Sequence, residues 1–247
     1  MTKKRIQYVL TFIILVIILD YSIGSVLENY YFKQTSGPHY RTTYSMDSTN
    51  AELLVFGASR ANHSYIPKIF EDSLNMSFYN TGRDGTDILY NLAILKTILK
   101  RYNPKLIILD FAGSFSYNPN SYERLSSLAP YYGENKEIRT IISLKGPYEK
   151  YKMFSKIYPY NSLILTIAIG NTKLNKTRKK DIKGYVPLHG VWNKSLDTSA
   201  TRKDYKLDSI KINALKDFIS LSKNNNANLV IVNSPTYVYF ENKKRVN

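Results

Sequence analysis

Residues 52–57 read Glu-Leu-Leu-Val-Phe-Gly, a short apolar run closed by a glycine. A run of that length without alternation reads as a strand buried on both faces, and such strands belong to parallel sheets. The neighbouring segments agree. Ile66, Ile69, Phe70 and Leu74 fall at helical spacing around Pro67, which suits a first turn. Ser77 to Asn80 is a weaker strand. Thr86 or Asp87 can cap a helix whose apolar stripe is Ile88, Leu92, Leu95 and Leu99. Pro104 marks the break, and residues 106–111, Leu-Ile-Ile-Leu-Asp-Phe, are the strongest strand of the chain. Strand, helix, strand, helix, strand within about 60 residues predicts an α/β fold, a parallel sheet with helices on both faces. Its crossovers should be right-handed.

The alternation resumes late. Leu207, Ile210, Ala214, Phe218 and Leu221 mark a helix, and Leu229 to Val232, ahead of Asn233-Ser234-Pro235, marks another buried strand. Between Gly113 and Arg202 the pattern is lost. This stretch holds Pro130, Pro147, Pro159 and Pro187, many tyrosines and an apolar patch at Leu163 to Ile169. It is too long for one loop in a compact domain. We read residues of about 114–203 as an inserted, partly helical cap over the sheet. Its basic run from Lys173 to Lys183 is either a solvated loop or a contact for an anionic polymer or headgroups.

Toward the N-terminus, Lys3, Lys4 and Arg5 precede an uncharged run from Ile6 to Leu19; Asp20 interrupts it, and Tyr21 to Leu27 is again uncharged. A membrane-spanning helix needs about 20 mostly apolar residues. Ile6 to Leu27 supplies them if Asp20 sits near the outer interface. The basic cluster predicts a cytoplasmic N-terminus and an extracytoplasmic domain anchored by residues 1–27. The competing reading is a signal peptide cleaved after Gly24. Residues 28–50 are polar and rich in tyrosine, and read as a stalk; the domain proper then occupies 51–247.

Composition bounds the chemistry. The 247 residues suit one domain with appendages, and an apolar fraction of 43% supplies a core. No cysteine is present, which excludes disulfides, thiolate metal sites, a cysteine nucleophile and lipoprotein acylation. The three histidines, His39, His63 and His189, lack the spacing of a zinc site. No metal or other cofactor is expected. The net charge of +16 fits either attraction to a polyanion or a solvated lysine-rich surface. No nucleic-acid-binding motif accompanies it, so nucleic acid is not an expected partner.

Ligands of open parallel α/β sheets bind beyond the carboxyl ends of the strands. Three such ends stand out. Gly57-Ala58-Ser59-Arg60 presents a serine that either acts as a nucleophile or caps the next helix. Asn80-Thr81-Gly82-Arg83-Asp84-Gly85-Thr86 has glycines that permit a tight turn, with backbone N–H groups able to stabilise an oxyanion. The same stretch also reads as an ordinary strand-to-helix loop. Asp110-Phe111-Ala112-Gly113-Ser114 places an acid at a strand end. His63, four residues after Ser59, shares a face with it if the segment is helical. His189, in the cap near Trp192, reaches the site only by folding over it.

Gly-Ala-Ser-Arg at 57–60, continued by Ala-Asn-His-Ser-Tyr-Ile-Pro, resembles the first block of the SGNH/GDSL hydrolase superfamily in its membrane-anchored bacterial branch. Asn80-Thr81-Gly82 is similar to the second block. Residues 184–188 and Val232-Asn233-Ser234-Pro235 are similar to further stretches of that branch, so that the resemblance covers roughly Glu52 to Tyr237. The resemblance implies a flavodoxin-like, three-layer α/β/α fold. It implies hydrolysis or transfer of acyl esters, often acetyl groups on cell-envelope carbohydrate. Ser59 would be the nucleophile and Gly82 an oxyanion donor, with Asn80, His63 and Asp110 as further candidates. Two departures stand beside it. The asparagine of the third block is missing from Asp110 to Tyr117, with Asn118 a remote substitute. The closing Asp-x-x-His block occurs nowhere, and Ser234 lies thirteen residues before the last one. A chain that is truncated, completed by something else or inactive is the expectation, with a non-catalytic, membrane-tethered module binding an envelope glycan as the alternative.

Overall fold

The computed structural model describes residues 3–111, 115–172, 181–190 and 206–234. Helix α1 spans Lys3–Phe32 and α2 spans Gly37–Asp47. Strand β1 (Leu53–Gly57) leads into α3 (Ser59–Ser64) and α4 (Pro67–Leu74). Strand β2 (Phe78–Asn80) leads into α5 (Ile88–Ile98), and β3 (Leu106–Asp110) comes after it. Short helices α6 (Pro119–Glu123), α7 (Lys136–Ser143), α8 (Glu149–Lys152) and α9 (Ile164–Gly170) come next, with 3-10 turns over Arg124–Tyr131 and Tyr158–Leu163. Helix α10 (Ser209–Asn224) then feeds β4 (Asn228–Val232).

The strands form one parallel sheet in the order β2-β1-β3-β4. Alternate residues of β1 serve opposite layers. Leu54 and Phe56, with Ile107, Leu109 and Tyr79, face α5 and α10, where Phe56 meets Phe218 edge-on at 5.3 Å between ring centres. Leu53 and Val55, with Phe78 and Ile108, face Ala61, Tyr65 and Phe70 of the α3–α4 side. Burial on both faces is why these strands are continuously apolar. Helix α5 is buried almost along its whole length, because it lies against α2, α7 and α10 as well as β1. A helix apolar on all sides requires such surroundings. Asp87 caps it, accepting the Leu89 N–H at 3.0 Å. β4 is an edge among the described residues, and its Val230 and Ile231 are exposed.

Helix α1 is long and apolar enough to cross a membrane, and the side chains from Ile6 to Leu19 are exposed. This suits a membrane anchor. Its C-terminal end packs against the domain. Asp20 accepts from the Ser155 hydroxyl and the Lys156 N–H, each at 2.6 Å. Gly24 lies so close to Lys156 that an added Cβ would stand 2.5 Å from the Lys156 carbonyl carbon. These contacts integrate the segment that signal cleavage after Gly24 would remove, which favours the uncleaved reading.

Residues 28–50 are not a stalk. They form the end of α1 and all of α2, and both carry core residues. Tyr31 is 1% exposed and Met46 2%. The Tyr31 ring packs against those of His39, Tyr131 and Tyr160, and its hydroxyl lies 3.2 Å from that of Tyr131. The segment reads as polar because tyrosine, threonine and histidine carry polar atoms, yet tyrosine buries a large apolar body once its hydroxyl is paired.

The expected cap also differs in place. Its part within 115–172 packs through α7 and the Arg124–Tyr131 turn onto α5, and Leu125, Leu128, Ile138 and Ile142 join the main core. It thickens one helical layer. Among the described residues, 181–186 return to the strand ends, where Lys183 O accepts the Asn80 N–H at 2.9 Å. Trp192 and most of the Lys173–Lys183 run lie outside the described residues.

Two outcomes test this arrangement. Tyr31→Ala should lower the unfolding free energy by about 3–5 kcal/mol in denaturant titration, the usual cost of removing a buried aromatic ring. A stalk residue would change it by no more than about 0.5 kcal/mol. Burial pushes the Tyr102 phenol from 10.0 up to about 12. The fold thus holds that proton more tightly than the unfolded chain does. Stability should be intact below about pH 10 and fall as pH rises toward about 12, read from denaturation midpoints across that range. Tyr102→Phe should make the fall shallower.

Candidate active site

The C-terminal end of β1 is built around a glycine for a steric reason. Gly57 has φ +149°, and a Cβ on it would stand 2.7 Å from Ala61 Cβ and 2.8 Å from Asp110 O. The chain then turns directly into α3. Ala58 occupies the cap position without a side-chain cap bond, and Ser59 is the first helical residue and exposed. The capping role open to Ser59 is not realised, and the residue is exposed at the strand ends.

The loop after β2 is latched to β1. Thr81 donates to Val55 O through both its N–H (2.8 Å) and its hydroxyl (2.9 Å). The Arg83 N–H donates to Gly57 O at 3.2 Å. Asn80, 1% exposed, donates through Nδ2 to Ala61 O at 2.7 Å and accepts the Gly82 N–H on Oδ1 at 2.9 Å. The Gly82 N–H is therefore committed to Asn80 in this state, and serving as an oxyanion donor requires releasing that bond. A Cβ on Gly82 would meet the Asn62 nitrogen at 2.8 Å, so packing alone accounts for the glycine. Gly184 presses on the same loop with φ +83°, where a Cβ would fall 1.9 Å from Asn80 O.

Both ring nitrogens of His63 contact groups other than Ser59. Its Nδ1 lies 2.7 Å from Val186 O and its Nε2 3.0 Å from an Asp84 carboxylate oxygen. Asp84 also accepts from Asn62 Nδ2 at 2.7 Å. Both ring nitrogens face acceptors, and a neutral imidazole can donate to one of them only. The other histidines lie elsewhere. His189 is exposed, and His39 is buried on α2 beside Tyr31. Asn118 caps α6, accepting the Asn120 N–H at 3.0 Å.

Asp110 closes β3 directly beside Gly57 in the sheet and is 2% exposed. One carboxylate oxygen accepts from the Tyr65 hydroxyl at 3.1 Å and from the Ser234 hydroxyl. The other is buried with no hydrogen-bond partner among the described residues. Arg60 donates to Ser234 O and so ties the α3 start to the end of β4. Burial, aided by the Asp110 carboxylate, pushes the Tyr65 phenol above its usual range and keeps it a donor.

The structure thus brings Ser59, Asn80, Gly82 and Asp110 to one edge of the sheet, adds Tyr65, Arg60 and Ser234, and leaves His63 facing Asp84. Arg60 and Tyr65 both lie within the block quoted at 57–67, but nothing in that block assigned either of them a role. Gly113, Ser114, Pro235 and Tyr237 lie outside the described residues. Among the described residues no cluster of His, Asp or Glu is arranged to hold a metal ion. The arrangement offers an exposed hydroxyl, a buried carboxylate chain and an arginine, without an imidazole on the serine. Compared with protein-family models, curated proteins and solved structures, the chain finds no match.

Proposed function

We propose that this is a membrane-anchored acyl-ester hydrolase or O-acetyltransferase domain of SGNH-like, flavodoxin-like architecture, acting on cell-envelope carbohydrate with Ser59 as nucleophile. One observation carries the reading: an exposed serine at the carboxyl end of a central parallel strand, with the Asn80–Gly82 turn and Asp110 on the neighbouring strand ends. That is the place where such sheets bind ligands. The sheet order β2-β1-β3-β4 is the start of the flavodoxin-like order. In this reading Ser59 Oγ attacks the acyl carbon, the carbonyl oxygen gains negative charge, and N–H groups at Ser59 and Gly82 receive it once Asn80 releases Gly82. A serine hydroxyl needs a base at neutral pH. His63, four residues along, would serve after turning from Asp84.

A second reading rests on the same histidine. Fixed between Val186 O and Asp84, His63 does not serve Ser59 as a base in this state, which suits a tethered module that binds an envelope glycan and turns nothing over.

Aryl-acetate hydrolysis by the full chain separates the two. Under the enzymatic reading Ser59→Ala should reduce the rate about a thousand-fold or more, because nucleophile and base act as a unit. His63→Ala should then cost about as much; a retained rate in that variant points to another base. Absence of turnover in the unsubstituted chain, with glycan binding unchanged by Ser59→Ala, selects the binding module.

A further inference from the structure

The length of the apolar run sets how deep the domain sits. Ile6 to Leu19 is uncharged, and its fourteen residues rise about 21 Å as helix. The hydrocarbon core is about 30 Å thick. A span that begins at Ile6 therefore ends near Val26, leaving Asp20 roughly 9 Å inside the outer boundary. Tilting the helix places Asp20 deeper still.

A carboxylate at that depth must be satisfied by protein. Asp20 is: the Ser155 hydroxyl, the Lys156 N–H and the Ile157 N–H, at 2.6, 2.6 and 3.4 Å, all donate to it. Residues 155–157 are thus carried to the depth of Asp20. Phe154 adjoins them, one Cα step of about 3.8 Å away. It is 84% exposed, its ring is 6.3 Å from that of Tyr151, and Tyr151 and Tyr148 are themselves 56% and 69% exposed. Three large rings left bare on one short helix and its flanks are unusual on a water-facing surface. Aromatic side chains of this kind concentrate where bilayer meets water. The Lys150 ammonium lies over the Tyr151 ring, its Nζ 4.8 Å from the ring centre, so a positive charge sits against the aromatic group.

We propose that Tyr148, Tyr151 and Phe154 form a second membrane contact, a platform inserted into the interface of the same bilayer that α1 crosses. The domain is then seated on the membrane by two attachments, with the Asp20 hydrogen bonds fixing the angle between them.

Tryptophan reporters in full-length protein in phospholipid vesicles test this, using a Trp192→Phe background to remove the natural tryptophan. Acyl-chain-brominated lipid should quench most of the emission of Phe154→Trp and Tyr151→Trp, as it should that of Ile14→Trp in the anchor. Iodide should quench Lys216→Trp, on the exposed side of α10, and spare the platform. Quenching by bromolipid at Ile14→Trp with none at either platform position overturns the platform and leaves the anchor standing. Absence at all three overturns both. Protection of the platform from bromolipid and iodide alike identifies a protein cover, and also overturns the proposal. Unchanged denaturation midpoints establish that each reporter is folded, and either platform position alone suffices.

Discussion

Every backbone amide in a strand buried on both faces must find a partner, and β1 is where this constraint is strictest. Its five residues are all buried, with β2 on one side and β3 on the other. A buried unpaired amide costs on the order of 1–3 kcal/mol, so neither neighbour is dispensable. The pairing runs to the last residue, where Gly57 meets Asp110. Beyond that point the loop after β2 takes over, with Thr81 and Arg83 donating to Val55 O and Gly57 O. The candidate site is therefore the place where the ladder stops. Ser59 is exposed because the chain has left the sheet, and the atoms around it are fixed because the ladder beneath them is complete.

The kind of contact decided how much of this was legible. The strands could be read because their burial is continuous, so one residue type fills each run. The helix over 88–98 could be read from its apolar stripe and the Asp87 cap. The tyrosine-rich segments could not. Tyr31 and Thr43 are held through hydroxyl contacts to Tyr131, which lies 100 and 88 positions farther along the chain. No local pattern announces a partner at that distance, so residues 28–50 read as polar. The strand ends were legible as places but not as bonding patterns. Ser59, Asn80, Gly82 and Asp110 do meet at one edge; the bond from Gly82 to Asn80, and the capture of His63 by Asp84 and Val186, depend on how the loops close.

The same closure ties the candidate residues to one another through bonds that also occupy them. Asn80 bonds Ala61 O with one side-chain atom and the Gly82 N–H with the other, so a single amide holds α3 and the second loop together. Gly184 can approach Asn80 O only because it lacks a Cβ, and this brings residues 183–186 against both. The Val186 N–H then donates to Asn62 O, while Val186 O offers the His63 ring an acceptor at the end of the same helix. Each bond that fixes a candidate residue also occupies it.

Asp20 shows the opposite arrangement, a polar group whose occupation is its purpose. A carboxylate within an apolar helix is unfavourable in hydrocarbon unless donors surround it. Here the donors come from residues 155–157, far along the chain, so at the proposed depth the helix would be stable only with the domain docked against it. Lys156 adds a second tie, its ammonium 2.7 Å from a carboxylate oxygen of Glu28, farther along the same helix. In the membrane-anchored arrangement proposed above, insertion and domain folding would be coupled: removing the donors would leave a buried charge in the anchor, and removing α1 would leave the ring partners of Tyr31 without the helix that carries it.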